Sequence, residues 1–90
     1  MTVKIVKGET PNETAVTIGT LTLHFSYVTV IAYRAGDSIV VSENVWSQTT
    51  GKHLNRIDGG GTYKSARLPH AEFKAALANV LRFYGLGESL

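Results

Sequence analysis

The chain has 90 residues, enough for one small domain, and 43% hydrophobic with 18% charged residues is the composition of an ordinary globular protein. No apolar stretch approaches the roughly 20 residues that a membrane-spanning helix needs, so we expect no membrane partner. The lack of cysteine excludes disulfide bonds, cysteine zinc sites and thiol nucleophiles. The first residues lack the apolar core of a secretory signal, so we expect a cytoplasmic protein. A net charge of +2 is too small to indicate a nucleic-acid partner by itself.

The first part of the chain has the alternating pattern of β-strands. Valine and isoleucine alternate with lysine over residues 3–6, which predicts a first strand. A threonine-rich β segment covers residues 14–25, and its apolar positions change from even to odd numbers across Gly19. Because neighbouring residues of a strand point to opposite faces, this change predicts a bulge or a tight turn at Gly19. His24 lies between two apolar residues of this segment and is expected to face solvent.

Two β-branched runs then predict a hairpin. They cover residues 28–34 and 38–44 and are joined across Gly36. Glycine supplies the positive φ that a tight connection between two strands requires. The first half of the chain therefore predicts an antiparallel sheet.

Helical patterns follow the strands. Serine and threonine residues before Gly51 are suitable caps for a short helix near residues 50–57, with Leu54 and Ile57 on its inner side. Apolar residues recur every three or four positions near residues 70–84, which predicts an amphipathic carboxy-terminal helix. We predict a single α+β domain over the whole chain: a small antiparallel sheet of four or five strands, the short helix, and the carboxy-terminal helix packed on the sheet.

The start of the short helix is the first candidate binding site. If Thr50 caps the helix, the next three backbone N–H groups point out of its amino end, where an anion is favoured. The candidate phosphate site consists of Thr49, Thr50, Gly51, Lys52 and His53. A nucleotide-binding P-loop is excluded, because position 46 is tryptophan where that motif needs glycine and position 53 is histidine where it needs a hydroxyl. The alternative is that the hydroxyls only cap the helix and Lys52 is a solvated surface residue.

The second half of the chain is basic. Residues 52–82 have a net charge of +4, against −1 for residues 1–51. Arg56, Lys64 and Arg67 are therefore further candidates for binding phosphate groups. If they share a surface with Lys52, four cations would act on one ligand.

Two aromatic residues near these cations are candidates for stacking on a base. Tyr63 lies among lysine and arginine, on a connection after Gly59–Gly61 that we expect to be mobile. Trp46, the single tryptophan, precedes the predicted helix. The alternatives are a core or lid position for Trp46 and an ordinary exposed loop for Tyr63.

Three other side chains have types that suit a metal ion or acid–base chemistry. They are His53, Asp58 and His70. Their spacing matches none of the tight ligand patterns, so we predict no metal ion, no other cofactor and no catalytic residue. A small metal-dependent hydrolase or nuclease is the least favoured function.

Residues 43–55, Glu-Asn-Val-Trp-Ser-Gln-Thr-Thr-Gly-Lys-His-Leu-Asn, together with the preceding Ser-Tyr-Val-Thr-Val-Ile-Ala-Tyr-Arg, resemble small uncharacterised proteins encoded by phages and other prokaryotic mobile elements. Those proteins are similar in placing an aromatic residue, a serine and threonine run and His-Leu-Asn after a β-hairpin. The resemblance covers residues 26–58 and implies a viral or mobile-element accessory protein, in the cytoplasm of a host cell. It implies no activity and no catalytic residues.

Two classes of function follow from the sequence. The leading prediction is a non-catalytic accessory protein whose partner is nucleic acid or another phosphate-bearing ligand. The alternative is a protein-interaction module, either a homodimer or an inhibitor of a host protein. That alternative is motivated by more apolar and aromatic residues than one helix can cover, among them Tyr27, Tyr33 and Phe83. An exposed edge strand would favour it.

Overall fold

A computed structural model describes residues 3–7 and 12–86. It has the predicted α+β class, with a five-stranded antiparallel sheet whose strands follow chain order. The elements are β1 (Val3–Lys7), β2 (Glu13–Ile18), β3 (Leu21–Ser26), β4 (Thr29–Ala35), β5 (Ser38–Val41), α1 (Gln48–Asp58), a 3-10 helix (Gly61–Ala66) and α2 (His70–Phe83).

The long β segment of the sequence is a hairpin of two strands. Gly19, with a φ of 62°, lies in the turn between β2 and β3, so the tight turn predicted there is confirmed. The register places Ile18 opposite Leu21 and Val16 opposite Leu23. Opposite residues of antiparallel strands share a face, which explains why the apolar positions are even before the turn and odd after it.

The second predicted hairpin consists of β4 and β5, joined at Gly36, whose φ is 60°. β5 ends at Val41, three residues earlier than predicted, and Ser42 forms a parallel bridge with Leu68. Backbone hydrogen bonds join Leu68 N–H to the Val41 carbonyl and Glu43 N–H to the Leu68 carbonyl. A later part of the chain therefore covers the outer edge of β5.

The pairing of β3 with β4 contains a β-bulge. His24 lies opposite Ala32 and Phe25 lies opposite Val30, which leaves Ile31 as the extra residue. Ile31 and Ala32 are both buried in the same apolar cluster. The bulge therefore directs two consecutive side chains to one face of the sheet.

α2 covers one face of the sheet. Its Phe73 and Leu81 pack with Leu21, Leu23 and Tyr33 in a buried cluster. The amphipathic carboxy-terminal helix predicted from the sequence is confirmed, because its apolar stripe lies on the sheet.

α1 lies on the opposite face. Its Leu54 packs with Ile31, Ala32 and Val41, and Ile57 packs at the margin of that cluster, so both predicted inward positions are confirmed. The strand residues of the cluster belong to β4 and β5 alone. The apolar contacts of α1 are therefore with β4 and β5, and the helix does not pack on β1, β2 and β3 in this cluster.

Candidate ligand-binding groove

The amino end of α1 differs from the predicted phosphate site. Ser47 is the cap: its Oγ accepts a hydrogen bond from Thr50 N–H at 3.2 Å, and its carbonyl accepts one from Gly51 N–H at 2.9 Å. The helix begins at Gln48, so Thr50 and Gly51 lie inside its first turn and their N–H groups have partners. The prediction that Thr50 caps the helix is wrong, and the N–H group of Gly51 bonds within the helix; binding of an anion by residues 49–53 stays a prediction.

A close contact with Asn44 explains why position 51 is glycine. A Cβ at this position would lie 2.9 Å from the side-chain nitrogen of Asn44. That nitrogen donates a hydrogen bond to the Ser47 carbonyl at 2.9 Å, and the Asn44 oxygen accepts one from Trp46 N–H at 3.0 Å. Glycine at position 51 therefore makes room for the asparagine that fixes the chain before the helix.

His53 and Thr50 point into the protein. The Oγ of Ser26 on β3 lies 2.6 Å from His53 Nδ1 and 3.0 Å from Thr50 Oγ1. A serine beside a histidine is an arrangement that nucleophilic catalysis uses, but Ser26 is only 2% exposed and His53 only 1%. These three side chains form a buried polar contact that fixes α1 on the sheet.

The predicted cations do not all remain available to a ligand. Arg56 lies 3.5 Å from the carboxylate of Glu13, with which it forms an ion pair. Lys52 on α1 and Lys64 in the 3-10 helix are exposed, as is Thr49. The expected surface with four available positive charges is therefore reduced to fewer charges by internal pairing.

Arg67 is bound inside the protein. Its Nε and one terminal nitrogen donate to the two oxygens of Asp58, at 2.7 and 2.9 Å, and the same terminal nitrogen donates to Asn55 Oδ1 at 3.0 Å. The Arg67 side chain is 7% exposed. This hydrogen bond from Arg67 is the main reason why the pKa of Asp58 lies below its ordinary value, and a bond from Gly60 N–H adds to it.

The connection after α1 is a helical turn instead of an irregular loop. Gly59 ends α1 in the left-handed conformation, with a φ of 88°, and a 3-10 helix follows directly. The Asp58 carboxylate joins the beginning of this connection to its end, because it accepts from both Gly60 and Arg67. Arg67 therefore has a structural role in place of the predicted phosphate contact.

The two predicted stacking residues differ in environment. Trp46 is half-buried against the α1 cluster, and its ring meets the edge of His70 at 5.2 Å between centroids. It also borders a cavity of about 350 Å³. Tyr63 is exposed, with its ring beside Gly59. Trp46 therefore has the packing position that the sequence offered as the alternative, and Tyr63 alone presents most of its surface to solvent.

The three side chains considered for a metal ion have separate partners. His53 contacts Ser26, Asp58 contacts Arg67, and His70 contacts Trp46. Within residues 3–7 and 12–86, no group of three or more histidine or carboxylate side chains is placed to hold a metal ion. His53, Asp58 and His70 are therefore not brought together as a set of metal ligands.

A groove of about 490 Å³ lies beside α1, on the same face of the sheet. Its floor is formed by side chains of β2, β3 and β4 that point to the same face, and α1 forms one wall. The polar and charged residues that line it are Glu13, Thr14, Thr22, His24, Arg34, His53 and Arg56. Apolar residues from all five strands except β4, and from α1, complete the lining, so the groove can receive a ligand with both charged and apolar parts.

The groove has a positive end. Thr22 and Arg34 are direct cross-strand neighbours, and the Arg34 side chain is exposed. No described side chain forms an ion pair with Arg34. His24 is half-buried, and its pKa is lowered from 6.5 first by burial and then by the charge of Arg34. A second positive charge is unfavourable beside Arg34, whereas an anion would be stabilised there.

The sequence patterns did not identify Arg34 or Glu13 as candidate site residues. His24 was expected on the solvent side of its strand, and it does lie on the face away from the α2 core, within the groove. The signal that points to Arg34 is the strand register, since residues of one face lie opposite each other across β3 and β4. The bulge at Ile31 leaves that register unbroken between His24 and Arg34.

Comparisons with known proteins place the chain in a family without assigning a function. Residues 3–75 match the Family of unknown function (DUF8033). No curated protein and no solved structure matches the chain. Among the described residues, no helix is long and apolar enough to cross a membrane. Because the match covers most of the sequence, the chain belongs to the Family of unknown function (DUF8033).

Proposed function

We propose that this chain is a non-catalytic accessory protein that binds a phosphate-bearing ligand, a nucleotide or a nucleic-acid strand, in the groove beside α1. This is the function that the sequence analysis predicts. The proposed site differs from the predicted one, because it is the groove beside α1 and not the amino end of that helix. The resemblance to phage and mobile-element proteins supports an accessory role in the cytoplasm of a host cell.

The size and lining of the groove support a ligand of nucleotide size. Its volume of about 490 Å³ is within the range of roughly 300–1,000 Å³ that small-molecule sites occupy. Apolar side chains, Val6, Ile39 and Ile57 among them, offer a surface for a base or sugar. The hydroxyl of Thr22 and the guanidinium of Arg34 offer donors for a phosphate.

The observation that carries this proposal is the position of Arg34. It is an exposed guanidinium on the rim of a preformed groove, and it lies beside a histidine whose pKa is lowered. A guanidinium can bind two phosphate oxygens at once, so it gives orientation as well as charge. Arg56 lines the same groove, but its charge is offset there by its ion pair with Glu13, so Arg34 is the main source of positive charge in the groove.

The test is a binding measurement by calorimetry with three probes: inorganic pyrophosphate, adenosine monophosphate and a short single strand of DNA. We expect the Arg34→Ala variant to bind at least about tenfold more weakly than the wild type, the loss of one charge-assisted hydrogen bond. Arg34→Lys should retain part of the affinity, because the charge remains and the fork of donors is lost. A preference among the probes identifies which part of the ligand the groove selects.

Lys64→Ala is the matched control, because Lys64 is an exposed cation outside the groove. It should leave the affinity for pyrophosphate and adenosine monophosphate unchanged. If Lys64→Ala weakens binding as much as Arg34→Ala, the attraction is general surface charge and the groove is not the site. Absence of binding to all three probes at low salt would remove the function altogether.

Exposed apolar side chains support the second function, a protein-interaction module in the form of a homodimer or a host-protein inhibitor. Val3, Ile5 and Val6 are all exposed on β1, at one edge of the sheet. Exposed edge strands with apolar side chains are a usual place for pairing with another chain. Sedimentation of the pure protein together with capture from a host lysate tests this function, and a monomer without a captured partner would contradict it.

A further inference from the structure

The two edge strands of the sheet, β1 and β5, differ in whether another part of the chain is hydrogen-bonded to their outer side. At β5, the backbone around Leu68 forms hydrogen bonds with Val41 and Glu43 and covers the edge. β1 pairs with β2 on its inner side, and no described strand pairs with its outer side. Within residues 3–7 and 12–86, the backbone donors and acceptors on that side of β1 have no strand partner, so another strand can pair with them.

The side chains of β1 make this edge unusual for a solvent-facing strand. Ile5 is 67% exposed and Val3 is 59% exposed. They lie opposite Val16 and Ile18, which continue toward Leu23 on the face that α2 covers. The apolar surface of this face therefore extends past the helix to the edge of the sheet.

The spacing of the lysines in β1 favours a second copy of the same strand as the partner, because two copies can pair without like charges facing each other. If two β1 strands pair antiparallel with Ile5 opposite Ile5, then Lys4 lies opposite Val6 of the other copy and Lys7 lies opposite Val3. No lysine then faces a lysine, and all five residues of each strand are paired. The sequence Val-Lys-Ile-Val-Lys is thus complementary to itself in this register.

Other pairing registers of two β1 strands are less favourable than the one with Ile5 opposite Ile5. A shift that places Lys4 opposite itself brings two positive charges together. A shift that places Val6 opposite itself pairs only residues 5–7 and leaves Val3 exposed. A one-residue shift joins opposite faces of the two sheets, so the apolar rows of the two copies no longer meet.

We propose that β1 is a dimerisation strand, through which two copies of this chain form one continuous ten-stranded sheet about a two-fold axis at Ile5. Both α2 helices then lie on one side of the sheet and both α1 grooves on the other. The contact is the same patch on each subunit, as two-fold dimers require. This inference rests on the interaction function proposed as the second candidate and is independent of ligand binding in the groove.

The dimer is tested first by sedimentation equilibrium of the full chain over a range of concentrations. A short strand pair buries little surface, so we expect a weak dimer with a dissociation constant in the micromolar range. Ile5→Lys places two ammonium groups face to face on the axis and should raise that constant at least about tenfold. Val28→Lys is the control, because Val28 is 91% exposed in the turn before β4, away from β1, and should leave the constant unchanged.

A cross-link tests the register itself. The chain has no cysteine, so a variant with one cysteine can form a disulfide only with its own copy. Opposite residues of antiparallel strands have Cα atoms about 4.5–5.5 Å apart, within the roughly 4.4–6.8 Å of disulfides. Ile5→Cys should therefore become a covalent dimer under mild oxidation, at least about tenfold faster than Val28→Cys.

Either of two results would overturn the proposal: a wild-type protein that is monomeric at every concentration, or equal cross-linking rates for the two cysteine variants. Circular dichroism of Ile5→Lys confirms that a loss of association is not a loss of folding. A monomer that still captures a host protein overturns the self-pairing and leaves the wider interaction function standing. The Arg34→Ala result is unaffected in each case, so failure here is distinct from failure of the groove.

Discussion

At the scale of single residues, the Arg67–Asp58 ion pair has the clearest structural role. Its side chains are 7% and 10% exposed, and the carboxylate also accepts from Gly60 N–H. Removing one partner of a largely buried ion pair is strongly destabilising, because the remaining charge has neither a partner nor enough solvent. The pair therefore fixes the connection between α1 and the chain that covers the edge of β5.

We predict that Arg67→Ala lowers the free energy of unfolding by about 3 kcal/mol, because it leaves the Asp58 carboxylate largely buried without its partner. Urea denaturation followed by circular dichroism measures this change. Lys64→Ala removes an exposed cation from the neighbouring 3-10 helix and should change the free energy by less than about 0.5 kcal/mol. Equal effects of the two substitutions would mean that Arg67 is an ordinary surface residue.

The lowered pKa of His24 makes the free energy of unfolding depend on pH. Burial, and secondly the charge of Arg34, lower its pKa in the folded state below the 6.5 of the unfolded chain. The unfolded state then binds more protons as the pH falls below 6.5, so the free energy of unfolding decreases in that direction. The stabilisation is complete above pH 6.5 and is lost toward the lower pKa of the folded state.

We therefore predict that the wild type is less stable at pH 5 than at pH 7.5 and that His24→Gln reduces this difference, as measured by urea denaturation at each pH. In Arg34→Ala, the second cause is absent, so the pKa of His24 should rise while burial keeps it below 6.5. Nuclear magnetic resonance titration of the ring protons measures that pKa. A fall of the His24 pKa in Arg34→Ala would contradict this electrostatic assignment.

At the scale of elements, α1 is fixed by its cap and by its buried polar contact with β3. Ser47 supplies the cap, and Thr50 and His53 reach Ser26. Leu54 supplies the apolar contact on the same side of the helix. The residues that were candidates for a phosphate site therefore place the helix that forms one wall of the groove.

We predict that Ser47→Ala lowers the free energy of unfolding by about 1 kcal/mol, the usual cost of losing a serine cap. Thermal denaturation measures the change. Thr49→Ala, two residues further at an exposed position, is the control and should have little effect. If Thr49→Ala were the more damaging change, the helix would begin later than Gln48 and the cap assignment would fail.

Periodicity predicted most of the elements, and it did so because each has one buried face. The Gly19 turn and the α2 stripe follow directly from the spacing of apolar residues. The first residue of α1 was not predictable, because Ser47, Thr49 and Thr50 are all good caps. The contact with Ser26, more than twenty residues earlier, turns Thr50 inward, and no local pattern contains that contact.

The groove was harder to predict than the fold. Thr22, Arg34 and Arg56 come from two strands and one helix, and their proximity depends on the strand register and on where α1 lies. The ion pairs of Arg56 and Arg67 depend on the same tertiary contacts. The basic second half of the chain led to the prediction of a phosphate-bearing ligand, but it did not indicate which cations are paired within the protein.

At the scale of the whole molecule, the sheet lies between α1 and α2, which cover different fractions of its two faces. α2 packs on the central strands of one face, and α1 covers half of the other. Two surfaces of the described residues carry the proposals made above, the groove on the α1 face and the outer edge of β1. They use different residues, so we expect Arg34→Ala to leave the sedimentation behaviour unchanged and Ile5→Lys to leave the affinity for pyrophosphate unchanged.

The most direct test of the proposed function is a nuclear magnetic resonance titration of the labelled protein with pyrophosphate, because it locates the ligand. We predict that the largest shifts occur at Thr22, His24 and Arg34 in the groove, and that the pKa of His24 rises when the anion is bound, since a nearby negative charge favours the protonated ring. Shifts concentrated at Thr49 and Lys52, with the His24 pKa unchanged, would contradict the groove and return the site to the start of α1.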